Sequence, residues 1–194
     1  MKARQFALML VILASLGACK SMRELKNLTK CQFRIATVTD IQLAGVSIQK
    51  VRRFSDLGIK DAAKIGAALA GGNLPLTMTI NVDAKNGNKS VAAMNRLEWI
   101  AMIDETQILE GIVSQRIEIQ PGGSATLPLA VTTNLRKVLG SMGKSEVLNY
   151  AMGITDQSDR PSRVALKLKP TIMVGKHPLE YPGWFTVKRE FTSQ

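Results

Sequence analysis

Two cysteines and a single histidine are the scarcest reactive side chains in this chain of 194 residues. His177 lies in Gly175-Lys176-His177-Pro178 and is the only imidazole. Any Ser-His or Cys-His nucleophilic pair would need it, yet its setting reads as a surface turn. So few thiols and imidazoles exclude a zinc finger and a dense disulfide scaffold. Gly143-Lys144-Ser145 copies the end of a phosphate-binding loop, but Val138 stands where the first glycine belongs. Without a strand before it, the triplet reads as a polar turn ahead of a helix. Asp104-Glu105 and Asp156-Gln157-Ser158-Asp159 fall short of the ligand count of a calcium loop. The expectation is a protein that is not an enzyme, with no catalytic residue, metal or cofactor.

The thiol in the most telling context is Cys19. Lys2 and Arg4 precede an apolar run from Phe6 to Leu13, and Leu16-Gly17-Ala18-Cys19 follows. The run is shorter than the roughly 20 apolar residues that span a bilayer, so it reads as a secretory signal. The sequence resembles the lipoprotein box of bacteria. In that family the thiol takes a diacylglyceryl group, cleavage falls just before the cysteine, and the new N-terminus is acylated. The resemblance implies a signal peptide over 1–18 and a palmitate-type anchor at Cys19. Lys20 rather than Asp follows, which implies the outer membrane. No acidic cluster comes next, which points to the periplasmic face. Cys31 then remains as a lone thiol; were Cys19 unmodified, the two could pair.

Lys and Arg number 26 against 15 Asp and Glu, a formal charge of +11. Loss of residues 1–18 removes Lys2, Arg4 and no acid, leaving +9 on 176 residues. Residues 19–30 are polar, with Lys20, Arg23, Lys26 and Lys30 against Glu24. They read as a basic tether that could reach roughly 36 Å when extended and touch anionic head groups. Lys167 and Lys169 share the outer face of one expected strand. With Lys20, Arg23 and Lys26 they are the expected contacts to an anionic surface, the bland alternative being solubility and edge protection. An export signal and an aromatic content of 5% argue against nucleic acid.

Residues 31–194 read as one domain, mainly β. From Leu74 to Lys85 apolar side chains occupy every second position, which puts one face on a core. Asn86-Gly87-Asn88 is a turn signal. Leu97 to Ile103, Ile117 with Ile119, Ala125 to Val131 and Val164 to Leu168 alternate likewise, with breaks at Asp104-Glu105-Thr106 and Pro121-Gly122-Gly123. Phe33-Arg34-Ile35 and Leu43 to Ile48 read as two further strands. Three short helical inserts are expected. Ser55-Asp56 would cap one carrying Leu57, Ala62, Ile65 and Leu69, Asn134 would cap 135–139, and Ser145 would cap 146–152. Evenly spaced strands of this kind build a sandwich or barrel.

The strand from Leu74 to Lys85, the Asn86-Gly87-Asn88 turn, the pair at 97–103 and 107–112, and the alternating run from Ile117 to Val131 together resemble the late-embryogenesis-abundant, desiccation-related domain. Gly87 stands where that family has proline. The resemblance implies an immunoglobulin/fibronectin-like antiparallel β-sandwich without an established catalytic site. Its implied role is a binding, scaffold or stress-protection module in the envelope. An alternative is an envelope-assembly component that binds a membrane protein partner, or anionic lipid or polysaccharide, through a basic face.

Overall fold

Strict alternation makes Pro75–Lys85 the organising strand (β3), since its even-numbered side chains are buried and its odd-numbered ones half-exposed. The computed structural model describes residues 21–140, 142–155, 162–174 and 176–190. In it β3 runs antiparallel between β1 (Gln32–Leu43) and β8 (Ser124–Asn134). The β3–β8 ladder is unbroken from Pro75↔Asn134 to Lys85↔Ser124. Pro75 opens a strand and Pro128 lies on the last strand of the sheet, the positions where a missing N–H is tolerated. The tiny β2 (Val46–Ser47) completes this sheet, ordered β2-β1-β3-β8.

Phe33–Ile35 and Leu43–Ile48 are therefore not two separate strands. The buried residues of β1 are Ile35, Val38, Ile41 and Leu43, spaced by three, three and two. Register shifts between Ile35/Thr37 and Thr39/Gln42 insert extra residues, and Asp40 takes φ 56°. Each bulge resets which face a side chain meets, so a continuous strand loses its period of two. Ala44 and Gly45, at φ 50° and 70°, turn the chain tightly into β2.

The second sheet centres on β9 (Arg163–Val174). It pairs with β5 (Arg96–Ile103) along one side and with β10 (His177–Glu180) and β11 (Phe185–Glu190) along the other. β6 (Thr106–Val113) extends it beyond β5. Asp104 and Glu105, both at positive φ, make the two-residue turn between β5 and β6. Gly111 is required opposite Trp99: a Cβ there would sit 2.3 Å from the indole. A small ribbon pairs β4 (Ala92–Met94) with β7 (Ile117–Ile119).

Leu76, Ile80 and Leu129 of the first sheet and Ala101, Ile103 and Leu166 of the second belong to one buried apolar cluster. At one margin Phe33 stacks on Phe185 at 6.1 Å, and at the other the Thr133 hydroxyl donates to the Ile108 carbonyl at 3.0 Å. The fold is thus a mainly β, antiparallel sandwich with short helices.

Among the described residues four helices decorate it. Residues 21–28 form α1, where a solvated tether was expected. α2 spans Ile59–Ala70 with Gly58 as its N-cap. Ser55-Asp56 does not cap it: Asp56 accepts from the Arg53 N–H within a separate 3-10 turn, and Leu57 lies outside the helix. Ile65 and Leu69 are its buried face. α3 (Leu135–Val138) is capped by Asn134 as expected, its side chain accepting from the Arg136 N–H at 3.0 Å. α4 (Lys144–Gly153) starts one residue before Ser145; Gly143 is its N-cap and donates to Glu146 at 2.8 Å. No helix among the described residues is long and apolar enough to cross a membrane.

Candidate functional site

The end of the molecule that carries α1 is where the expected site residues can be judged. Only Leu25 and Leu28 are apolar on the inner side of this helix, and both are buried. Glu24 and Asn27 go down with them, at 5% and 9% exposure. Buried polar groups are stable only when hydrogen-bonded, and both are. The Arg116 guanidinium holds Glu24 at 2.9 Å and Glu118 at 2.8 Å. The bond to Glu24 raises the basicity of Arg116 further. Asn27 donates to the Ser90 hydroxyl at 2.7 Å and the Val91 carbonyl at 2.9 Å.

Asn86-Gly87-Asn88 proves to be part of this lock rather than a hairpin turn. Asn86 is fully buried and donates to the carbonyls of Ser90 and Ile119 at 3.0 and 2.8 Å. Its side-chain Oδ1 accepts from the backbone N–H and the side-chain amide of Asn88. Asn88 then donates to the Asn27 carbonyl at 2.9 Å, tying the end of β3 to α1. The sequence placed Glu24 in a basic tether and gave no sign that Arg116, just before the alternating Ile117 and Ile119, would meet it. No local signal joins residues so far apart in the chain; only their convergence in space does.

Cys31 follows α1, free and buried, and its thiol donates to the Asn27 carbonyl at 3.4 Å. Burial pushes its pKa up, away from a reactive thiolate. Cys19 and Lys20 lie outside the described residues, as does the acidic loop at 156–159.

The outer side of α1 faces a groove of about 720 Å³. Met22, Arg23, Lys26 and Thr29 line one wall, and Leu179, Glu180 and Pro182 the other. Tyr181 also lines the groove and stacks on Phe185 at 4.6 Å. Lys169 meets Glu180 at 2.6 Å, which holds the Glu180 carboxyl below its usual range and keeps Lys169 charged. The structure therefore brings Arg23 and Lys26 to one groove, which Lys169 meets only through its ion pair with Glu180. Lys167 lies on the same outer sheet face as Lys169, in register with Ile100 and Thr186, and does not line the groove.

The remaining candidates disperse. His177 is an exposed strand end opposite Val174. Asp104 accepts from the Arg163 N–H in the β5–β6 turn. Gly143-Lys144-Ser145 is a helix start. Among the described residues no group of three or more His, Cys, Asp or Glu could hold a metal. A second depression, about 440 Å³, lies on the outer face of the second sheet between Glu98, Glu110, Ile112 and Trp184.

No family model matches the chain, and no curated protein does. Solved structures show faint likeness. A protein from Archaeoglobus fulgidus is 13% identical with a TM-score of 0.37, over 84% of this chain and 95% of that one. A candidate late embryogenesis abundant (LEA) protein is 12% identical with a TM-score of 0.36, over 98% and 87%. A FixG-related protein from Vibrio parahaemolyticus is 11% identical with a TM-score of 0.26, over 84% and 96%. Likenesses this weak do not bear on function.

Proposed function

We propose that this chain is a lipid-anchored envelope protein, held by acylated Cys19 in the outer membrane with its sandwich on the periplasmic side. Its role in this reading is non-catalytic: binding, scaffolding or stress protection of the kind the desiccation-related resemblance implies. The supporting observation is the join between anchor motif and body. Leu16-Gly17-Ala18-Cys19 lies two residues before the described helix 21–28, and that helix is already locked onto the sandwich by Leu28, Asn27 and the Glu24–Arg116 pair. Several acyl chains on one residue exceed the two signals that stable anchoring takes.

Metabolic labelling with a palmitate analogue tests the anchor. The wild-type chain is expected to carry label and to fractionate with the outer membrane, and Cys19→Ala to lose both. Label that persists in Cys19→Ala overturns the reading.

The outer sheet face supports a second reading, contact with an envelope protein partner. Ile112 and Trp184 are 55% and 42% exposed there beside Glu98 and Glu110. Those two carboxylates disfavour an anionic polymer at that depression. A stoichiometric protein captured by crosslinking from position 112 would favour this reading over a solitary protective module.

A further inference from the structure

The groove between α1 and the β10–β11 segment combines apolar side chains open to solvent with cations that have no carboxylate partner among the described residues. Met22 is 50% exposed and Leu179 38%. They come from opposite walls of the groove and from opposite ends of the chain. Arg23 and Lys26 are exposed beside Met22, and neither forms an ion pair among the described residues. Among the described residues Glu180 is the only acid in the lining, and Lys169 already neutralises it. Tyr181 adds an amphipathic aromatic, the side-chain type that favours the boundary between lipid and water.

We infer that this groove is the face on which the protein lies against an anionic phospholipid bilayer, with Met22 and Leu179 entering the interface and Arg23 and Lys26 taking headgroup phosphates. Charge complementarity favours lipid over a protein partner of mixed charge, because the unpaired groups at the rim are all cations. The chain geometry agrees. Cys19 precedes Met22 by three residues, about 11 Å of fully extended backbone, so a lipid on Cys19 would enter the membrane beside this groove. Because α1 is locked to the sandwich by buried hydrogen bonds, contact there fixes the orientation of the whole body. The inference rests on the anchor reading for that proximity alone; the exposed side chains and unpaired cations stand without it.

Photocrosslinking on the full chain tests it. Benzoylphenylalanine replaces Met22, Leu179 or, as a control outside the groove, the exposed Arg52. Each protein is incorporated into vesicles of phosphatidylethanolamine and phosphatidylglycerol and irradiated. Phospholipid adducts are expected at positions 22 and 179 and not at 52. Each cation removed by Arg23→Gln or Lys26→Gln should lower adduct yield about fivefold, an effect that disappears in pure phosphatidylcholine. Adducts to protein at 22 and 179, equal lipid adducts at 52, or no adducts at all would overturn the inference. A chain that fails palmitate labelling but still gives lipid adducts at 22 and 179 breaks the anchor reading alone. A labelled Cys19 with lipid-free positions 22 and 179 breaks this inference alone.

Discussion

α1 and α2 both lie outside the sheets, yet only α1 is fastened by buried polar groups as well as apolar ones. α2 is held by Ile65 and Leu69, its only buried residues, and by an exposed bond from the Lys64 ammonium to the Gly45 carbonyl at 3.4 Å, while Ile59 at its first turn is 90% exposed. Its N-cap makes no side-chain hydrogen bond. α1 buries Leu25 and Leu28 too, but adds Glu24 and Asn27 with their partners Arg116, Ser90, Val91 and Asn88. Apolar burial is non-directional and tolerates small slides. A buried carboxylate or amide does not, because a displaced pose leaves it unsatisfied at roughly 1–3 kcal/mol. α2 is thus attached, whereas α1 is attached in one orientation.

The largest expected effect sets the two helices directly against each other. Leu28→Ala should destabilise the fold by about 3 kcal/mol through lost contacts and a residual cavity. Ile59→Ala should stay within about 0.5 kcal/mol. Urea unfolding midpoints measure both, and equal losses would erase the contrast.

Asn86→Ala probes the directional part of the lock. Removing this fully buried amide strips the Ser90 and Ile119 carbonyls of a donor and releases Asn88 from its position beneath α1. A loss of about 2 kcal/mol is expected, together with faster amide exchange across residues 21–28. Unchanged exchange in that helix would show that its two leucines suffice.

The smallest effect is pH-dependent and concerns the opposite wall of the groove. Glu180 is held below the usual carboxylate range by Lys169, so its contribution is present above that range and is lost as pH falls through the lowered value. Lys169 is raised by Glu180, so its contribution is present below the usual lysine range and is lost as pH rises through the raised value. β10 should be tightest between about pH 4 and pH 10. Hydrogen exchange at Leu179, corrected for intrinsic pH dependence, should show loosening at both extremes, and Glu180→Gln should remove both limbs. A flat profile in the wild type would mean that the ladder to β9 alone holds β10.

Legibility followed the local period. β3, β5, β8 and β9 alternate along the sequence because each presents one uninterrupted face to the core. β1 is a strand of the same kind, but its two bulges changed the spacing of its buried residues, and only its ends were recognisable. Residues 21–30 looked solvated because two leucines among three cations and one acid carry little apolar periodicity. What fastens them is polar and supplied by distant segments. Asn86-Gly87-Asn88 matched a turn signal, since asparagine and glycine also serve where the backbone leaves a strand to meet something else. Lys167 and Lys169 share one strand face as their spacing predicts, but only the structure joins Lys169 to Glu180 at the groove that Arg23 and Lys26 line.

By itself the sequence determined the class of the fold, the inward faces of its regular strands, the excess of positive charge and the motif at Cys19. These are properties of neighbouring residues, and the backbone reads neighbours with a period of two or of 3.6. The tertiary structure alone decided that Glu24 meets Arg116, that Asn88 reaches Asn27, and that Met22 shares a groove with Leu179. Such meetings depend on how whole sheets pack and where bulges turn them. They involve residues tens to more than a hundred positions apart, over which no local repeat carries information.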